Sequence, residues 1–132
     1  MSQKAAKTPV KTELYASKAP LEWAVVSKGT LYTAQIPIDD SGVVVEGGIE
    51  AQTRQTFENL KHTLACAGED MDSVIQVLIY VTEREYLATV NQVYAEYFKP
   101  PFPNRAAVVV AGLAREEMLV EFVVYASVTD KD

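Results

Sequence analysis

Apolar residues recur along this chain with two different periods, and these periods predict its secondary structure. The first part is typical of β-strands, with runs over residues 23–26 and 30–38 joined by a hairpin turn at Lys28-Gly29. A polar turn over residues 39–42 follows, and three consecutive valines predict a short third strand at residues 43–45.

The spacing changes after Ile49, where a stripe of residues recurs in steps of three and four. The stripe consists of Thr53, Phe57, Leu60, Leu64 and Ala67. It predicts an amphipathic helix that ends at Gly68. Residues 74–81 are nearly all apolar and predict a strand that is covered on both faces. A second helix is predicted over residues 87–97, because three prolines follow within four positions and end it.

Two more strands, predicted over residues 105–111 and 119–128, complete an α/β (α+β) fold with a single six-stranded mixed sheet. Right-handed crossovers that start from one sheet edge place both helices on the same face of the sheet. The other face then has no cover within the chain, although the last strand is apolar on both of its faces. We therefore expect a homo-oligomer, in which another copy of the chain covers this face.

Length and composition are those of one globular domain, since the chain has 132 residues, 48% of them apolar and 23% charged. Four lysines and one glutamate lie in residues 1–18, so the remaining chain is strongly acidic. We expect a flexible basic arm over residues 1–14 and a single domain over residues 15–130. The acidic domain argues against nucleic-acid binding. No apolar run is long enough for a membrane span, and a cytoplasmic location is expected.

Histidine and cysteine are scarce, and this excludes several reaction types. His62 is the only histidine and is expected at the surface, which argues against a serine or cysteine triad and against a histidine metal site. Cys66 is the only cysteine and is expected to be a small core residue with no histidine near it, rather than a nucleophile. No glycine-rich phosphate-binding motif occurs. We therefore expect neither a metal nor a cofactor.

Two charged residues within apolar strands remain as candidate chemistry. Glu121 interrupts the last strand, and a carboxylate buried there needs a cation, hydrogen-bond donors or a shifted pKa. Arg105 opens the preceding strand, and its guanidinium suits a carboxylate of a substrate or of a protein partner. Two interpretations stay open: a structural Arg105–Glu121 salt bridge between adjacent strands, or a pocket in which Arg105 binds a substrate carboxylate and Glu121 orients a water. Asn91, Tyr94 and Tyr97 on the second helix are weaker candidates, for which core packing is the default.

A set of motifs in a fixed order resembles the Rid (YjgF) family of reactive intermediate deaminases. The motifs lie between about Gly29 and Ala126, roughly three-quarters of the chain. They are QIPID at 35–39, GIEAQTRQ at 48–55, NQVYAEYF at 91–98, PNRAAV at 103–108 and VE at 120–121. Each motif alone is weak, but the ordered set is specific.

The resemblance implies a chorismate-mutase-like fold and a homotrimer around a central barrel, with three clefts between subunits. It also implies hydrolysis of amino-acid-derived enamines or imines to 2-oxo acids and ammonia, so the expected partner is a small 2-imino or 2-oxo acid. By position, Arg105 matches the arginine that binds the substrate carboxylate, and Glu121 matches the acid that positions the attacking water. Asn91 matches a cleft asparagine, and the backbone of Ala107 matches a main-chain ligand contact.

The chain departs from the family pattern at one wall of the cleft. The segment Gly-Pro-Tyr-Ser-Gln is missing before the second strand, so the cleft tyrosine of the family is absent. Trp23 is a candidate for this aromatic wall, with a place in the core as the alternative. The usual Ser-Gly-Gln becomes Thr33-Ala34-Gln35, where Thr33 retains a hydroxyl and Ala34 replaces the glycine. The alternative function is a non-catalytic module that binds a small carboxylate or a protein in the same clefts.

Overall fold

The computed structural model describes residues 6–129 and folds them around one six-stranded mixed sheet. The elements in chain order are β1 Thr8–Pro9, β2 Ala24–Ser27, β3 Thr30–Gln35, α1 Gly48–Cys66, a short 3-10 helix Met71–Ser73, β4 Val74–Val81, α2 Tyr86–Tyr97, β5 Asn104–Val109 and β6 Val120–Ser127. The strand order across the sheet is β1-β2-β3-β6-β4-β5. The β4–β5 pair is parallel, and the other described pairs are antiparallel. The predicted fold class is confirmed.

The main core lies between the two helices and one face of the sheet. Phe57 of α1 is fully buried, with its ring centroid 4.6 Å from that of Phe122 in β6 and 5.9 Å from that of Tyr94 in α2. Burial of one such aromatic side chain stabilises the fold by about 2 kcal/mol. Residues of both helices share a single buried cluster with β3, β4 and β6. Both helices therefore cover the same face, as the crossover rule predicts.

The first helix ends where the sequence predicts. Gly68 has a φ of 77°, a left-handed conformation that glycine adopts without steric cost, and its N–H donates to Ala65 O. The N–H of Glu69 donates to Leu64 O and satisfies another carbonyl of the last turn. The chain then passes through the 3-10 helix into β4, whose bounds match the predicted residues 74–81.

The prediction of a third strand at residues 43–45 is wrong, and only an isolated bridge joins Ile38 to Val44. The Asp39 carboxylate accepts hydrogen bonds from the N–H groups of Ser41 and Val43. This turn folds the valines back onto the end of the preceding run instead of into the sheet. The run predicted as a strand over residues 30–38 correspondingly ends at Gln35.

The sixth strand instead comes from the segment that was predicted as a basic arm. Thr8–Pro9 pairs with β2 at the edge of the sheet, and the N–H of Val10 donates to Ala24 O at 2.9 Å. Val10 also packs against the main core. A two-residue strand is too short to leave a period in the sequence, which explains why it was missed. Residues 1–5 of the predicted arm and the last residue of the predicted domain, Asp130, lie outside the described residues.

The prediction for Cys66 is also wrong, because this residue is exposed at the end of α1 and not in the core. Its Sγ lies 3.5 Å from Nε2 of His62, one helical turn earlier. The same Nε2 accepts a hydrogen bond from the backbone N–H of Glu13 at 2.9 Å. A residue four positions earlier on a helix lies on the same face, so the spacing of His62 and Cys66 in the sequence was sufficient to predict this contact.

We expect Gly42→Ala to lower the free energy of unfolding by about 1–3 kcal/mol. Gly42 has a φ of +79°, and an added Cβ would lie 2.6 Å from Cζ of Tyr15. Urea denaturation measures the change. Gly48→Ala is the matched control, because Gly48 also has a positive φ, of +77°, and an added Cβ meets nothing within 4 Å there. Equal destabilisation by both substitutions would contradict the packing of Tyr15 on this turn.

Candidate functional site

Arg105 lies at the start of β5, on the side of the sheet that faces the helices. Its register partner is Val77 of β4, which is fully buried in the main core, so both side chains share that face. The guanidinium Nη2 donates a hydrogen bond to Asn91 Oδ1 at 2.5 Å. The guanidinium carbon lies 4.7 Å from the ring centroid of Tyr94. Asn91 and Tyr94 are three positions apart on α2 and therefore reach Arg105 from one helix face.

The positive charge of Arg105 has no carboxylate partner among the described residues. Its two contacts are neutral groups, an amide oxygen and the face of an aromatic ring. Arg54, in contrast, forms ion pairs with Glu96 and Glu50, and its hydrogen bonds to them raise the pKa of the Arg54 guanidinium above its ordinary value. An anion that reaches Arg105 therefore meets an uncompensated charge.

Ala107 adds backbone hydrogen-bonding groups beside Arg105 on β5. β5 is an edge strand of the described sheet, and the N–H of Val110 donates to Val81 O of β4. Since the backbone groups of successive strand residues point to opposite sides in the plane of the sheet, the N–H and C=O of Ala107 point to the open edge. Its register partner is the buried Ile79, so Ala107 also lies on the face of Arg105.

Glu121 lies on the opposite face of the sheet, in β6 between β3 and β4. Val120 and Phe122 are fully buried against the helices, so the alternation of the strand turns Glu121 to the other side. Its register partner is the half-buried Tyr80 of β4. Burial raises the pKa of the Glu121 carboxyl above its ordinary value of 4.5.

A single chain therefore does not bring Arg105 and Glu121 together. β4 lies between their strands, and the two side chains are on opposite faces of the sheet. The interpretation of a salt bridge between adjacent strands is wrong, because β6 inserts between β3 and β4 and does not pair with β5. A site that uses both groups needs residues from two copies of the chain.

Two of the expected substrate-binding residues make contacts within the domain, Thr33 as a buried residue and Trp23 as a half-buried one. Thr33 is buried, and its hydroxyl donates to Trp23 O at 2.5 Å and accepts from Gln35 Nε2 at 2.9 Å. Trp23 lies just before β2, and its Nε1 donates to Tyr15 O at 2.6 Å. The indole packs against a second, smaller core cluster of Ile38, Val44 and Met118. The core alternative for Trp23 is the one that these contacts favour.

Ala34 has a different place from Thr33, although the two are neighbours in β3. It is exposed, and its register partner is Val123, two positions after Glu121 in β6. By the two-residue period, Ala34 and Glu121 lie on the same face of the sheet. The expected site residues thus form two groups: Arg105, Asn91 and Ala107 at the β5 edge, and Glu121 and Ala34 on the uncovered face.

The contact between Tyr94 and Arg105 was not predicted from the sequence. Tyr94 was assigned to core packing, and it is indeed only 4% exposed. Its spacing of three from Asn91 was the signal that both residues approach the same group. Among the described residues no cluster of three or more potential metal ligands occurs. None of the helices in this part of the chain is long and apolar enough to cross a membrane.

Comparisons with known proteins agree on one family. A sequence model of the family described as Endoribonuclease L-PSP matches residues 11–128. A RutC family protein of Pyrococcus horikoshii is 39% identical over 109 residues, which are 80% of this chain and 86% of the relative. The 2-iminobutanoate/2-iminopropanoate deaminase of Homo sapiens is 36% identical over 98 residues, 73% of this chain and 72% of the relative. A crystal structure of a conserved Rid family protein of Yersinia pestis superposes with a TM-score of 0.87 at 38% identity, covering 93% of this chain and all of the other.

We expect Glu121→Gln to stabilise the protein at neutral pH and to lose this effect as the pH falls. Because the pKa of Glu121 is raised in the folded state, the folded protein disfavours the carboxylate, and stability declines as the pH rises through that pKa. The glutamine carries no charge and avoids this penalty. Urea denaturation between pH 4 and pH 8 measures the difference between variant and wild type.

The control for this series is Glu116→Gln, which removes an exposed carboxylate from the β5–β6 connection. It should give no comparable change with pH. A difference between Glu121→Gln and wild type that is constant over the whole pH range would contradict the burial of this carboxyl.

Proposed function

The chain belongs to the Endoribonuclease L-PSP (Rid) family, and on that premise we propose that it hydrolyses short-lived 2-imino acids to 2-oxo acids and ammonia. The observation that carries the proposal is the uncompensated Arg105, held by two neutral groups beside an open strand edge. Human and mouse relatives at 36% and 34% identity are named for this reaction. A non-catalytic carboxylate-binding module is the alternative.

Arg105 binds the substrate carboxylate in this proposal. A guanidinium presents paired N–H donors whose geometry matches the two oxygens of a carboxylate, and charge-assisted bonds of this kind are strong. One Nη2 donor is already fixed by Asn91, so the remaining donors have a defined orientation. The backbone groups of Ala107 at the open edge are available to a second polar atom of the substrate. The imine carbon next to the carboxylate is thereby held in one place.

Glu121 activates the attacking water. Its carboxylate accepts a proton while the water oxygen forms a bond to the imine carbon, which gives a tetrahedral carbinolamine. That proton passes to the imine nitrogen, which completes the carbinolamine. Glu121 then takes the hydroxyl proton of the carbinolamine and transfers it to the same nitrogen, so that the C–N bond breaks, ammonia leaves with the electron pair and the C=O bond forms. One water is consumed and no oxidation or reduction occurs. A pKa raised by burial brings Glu121 nearer to the working pH, which suits a group that first accepts and then donates a proton.

The two groups meet in clefts between copies of the chain. Within one chain they lie on opposite faces of the sheet, so the Arg105 edge of one copy has to approach the Glu121 face of the next. Association of the Arg105 edge with the Glu121 face is supported by exposed apolar side chains, which contact between copies would bury. They include Tyr32, Ile75 and Val108. A homotrimer with three shared clefts, which the sequence resemblance implies, satisfies this requirement with identical contacts.

Nucleic-acid cleavage is named in the family description, but the charge of this chain does not favour it. The formal net charge is −6, and four of the basic residues lie in the first eighteen positions, so the rest of the chain is still more acidic. The cytoplasmic location expected from the sequence rests on none of the contacts described above and stays a prediction.

We expect Arg105→Ala to raise KM for imine hydrolysis about ten- to a hundredfold, because the substrate carboxylate loses its charge-assisted hydrogen bonds. The imine is generated in the assay by an amino-acid oxidase, and ammonia release is measured after subtraction of spontaneous hydrolysis. Arg54→Ala is the matched control, since that arginine is already paired with Glu50 and Glu96 on the helical surface. If Arg105→Ala keeps the wild-type KM while wild type accelerates ammonia release, Arg105 is structural. If wild type releases no ammonia from any imine but still binds a 2-oxo acid, the alternative function is correct.

We expect the impaired variants Arg105→Ala and Glu121→Gln to complement each other in mixed oligomers. Alone, Arg105→Ala should lose about ten- to a hundredfold in kcat/KM because it lacks the carboxylate clamp, and Glu121→Gln about a hundredfold or more because it lacks the base. After co-expression in equal amounts, about a quarter of the shared clefts combine an intact Arg105 with an intact Glu121. Ammonia release by the co-purified mixture, with differently tagged chains, measures the recovery. Recovery no greater than the average of the two variants would place the whole site within one chain and contradict the shared cleft.

A further inference from the structure

The contacts of Arg105 fix its orientation without neutralising its charge. Its described partners are Asn91 Oδ1 at 2.5 Å and the ring of Tyr94, whose centroid is 4.7 Å from the guanidinium carbon. An aspartate or glutamate in either place would also hold the side chain, but it would compete with a substrate carboxylate for the same donors. The quadrupole of an aromatic ring attracts the guanidinium through the ring face and leaves the N–H groups at the edge of the guanidinium available to a carboxylate.

The ring of Tyr94 is itself held firmly. Only 4% of the residue is exposed. The ring packs edge-to-face against Phe57 at a centroid distance of 5.9 Å and lies tilted against Phe98 at 4.5 Å. Aromatic neighbours on two sides leave the ring little freedom to turn, so the plane offered to Arg105 is fixed by the main core.

The hydroxyl of Tyr94 takes no part in this contact network. It is buried and has no hydrogen-bond partner among the described residues. Burial raises the pKa of the Tyr94 hydroxyl, although the charge of Arg105 acts in the opposite direction, so Arg105 faces the ring of a neutral phenol. The contact with Arg105 therefore depends on the face of the ring, which phenylalanine also provides.

We propose that Tyr94 is a positioning residue for carboxylate recognition. Its ring face holds the Arg105 guanidinium in an orientation in which one N–H donates to Asn91 and other N–H groups donate to the substrate carboxylate. This inference rests on the proposed function, because it concerns the same arginine. It assigns to α2 a role in substrate affinity in addition to its role in the core. Tyr97 on the same helix also stacks on Phe57, at 4.8 Å, and its hydroxyl donates to Glu58 on the helical surface.

The test compares Tyr94→Leu, Tyr94→Phe and the control Tyr97→Leu in the full-length protein. Two quantities are measured: KM and kcat for ammonia release, and the Kd of 2-oxobutanoate, the hydrolysis product of 2-iminobutanoate, by calorimetry. Tyr94→Leu should raise KM and Kd roughly three- to thirtyfold with kcat changed by less than about threefold, since a cation–π contact of this strength is lost. Tyr94→Phe should recover most of the affinity. Tyr97→Leu removes a comparable stack on Phe57 and should lower stability without moving KM or Kd.

A second series keeps the shape of the ring and changes only its electrons. Phenylalanine and a trifluorinated phenylalanine are incorporated at position 94, because fluorine weakens the negative face of the ring. The Kd of 2-oxobutanoate should rise from the first to the second, whereas a purely structural role predicts no change. This series decides the question even if Tyr94→Leu does not fold.

The outcomes separate the two proposals. Equal Kd values in the fluorinated pair, or equal effects of Tyr94→Leu and Tyr97→Leu, overturn the role of Tyr94 and leave the proposed function intact. Binding of 2-oxobutanoate that depends on the ring, without ammonia release by wild type, overturns the proposed catalysis and supports the role of Tyr94. If wild type neither binds the 2-oxo acid nor releases ammonia, both proposals are wrong.

Discussion

Successive side chains of a β-strand point to opposite faces of the sheet, and this alternation determines where each charged group of the site lies. Arg105 is in register with the buried Val77 and therefore faces the helices, where Asn91 on α2 reaches it. Glu121 lies between two buried residues of β6 and therefore faces away from them. The same rule that packs the core thus divides the charged residues between the two sides. The proposed site, which uses both groups, therefore needs a second copy of the chain because of backbone geometry.

Secondary structure was predictable where the pattern is local and long. The steps of three and four around Phe57 predicted α1, and the apolar run predicted the bounds of β4, because each pattern spans enough residues to specify which face is buried. Short elements were not predictable. The valines at residues 43–45 resemble a strand, yet the hydrogen bonds of the Asp39 carboxylate turn them away from the sheet. Thr8–Pro9 has no period at all and joins the sheet only through its pairing with β2.

The sequence suggests the candidate residues of the site but not their geometry. Arg105 and Glu121 are candidates because they are charges inside apolar strands, but their separation depends on the order of strands, which long-range contacts decide. The insertion of β6 beside β4 leaves no local signal in the sequence. Conversely, only the structure shows that no described carboxylate forms an ion pair with Arg105. The burial of Tyr94 by itself indicates only packing. The Arg105 guanidinium on the face of its ring is what suggests a role in the site.

Trp23 also has a meaning for spectroscopy. It is the only tryptophan of the chain, and it belongs to the smaller cluster, where its indole N–H is bonded to the backbone of Tyr15. Emission excited at the red edge of aromatic absorption therefore comes from one indole outside the main core. The wavelength of the emission maximum reports whether the segment around Tyr15 is packed against Trp23. Far-ultraviolet circular dichroism reports the helices. The two signals therefore report on different parts of the fold.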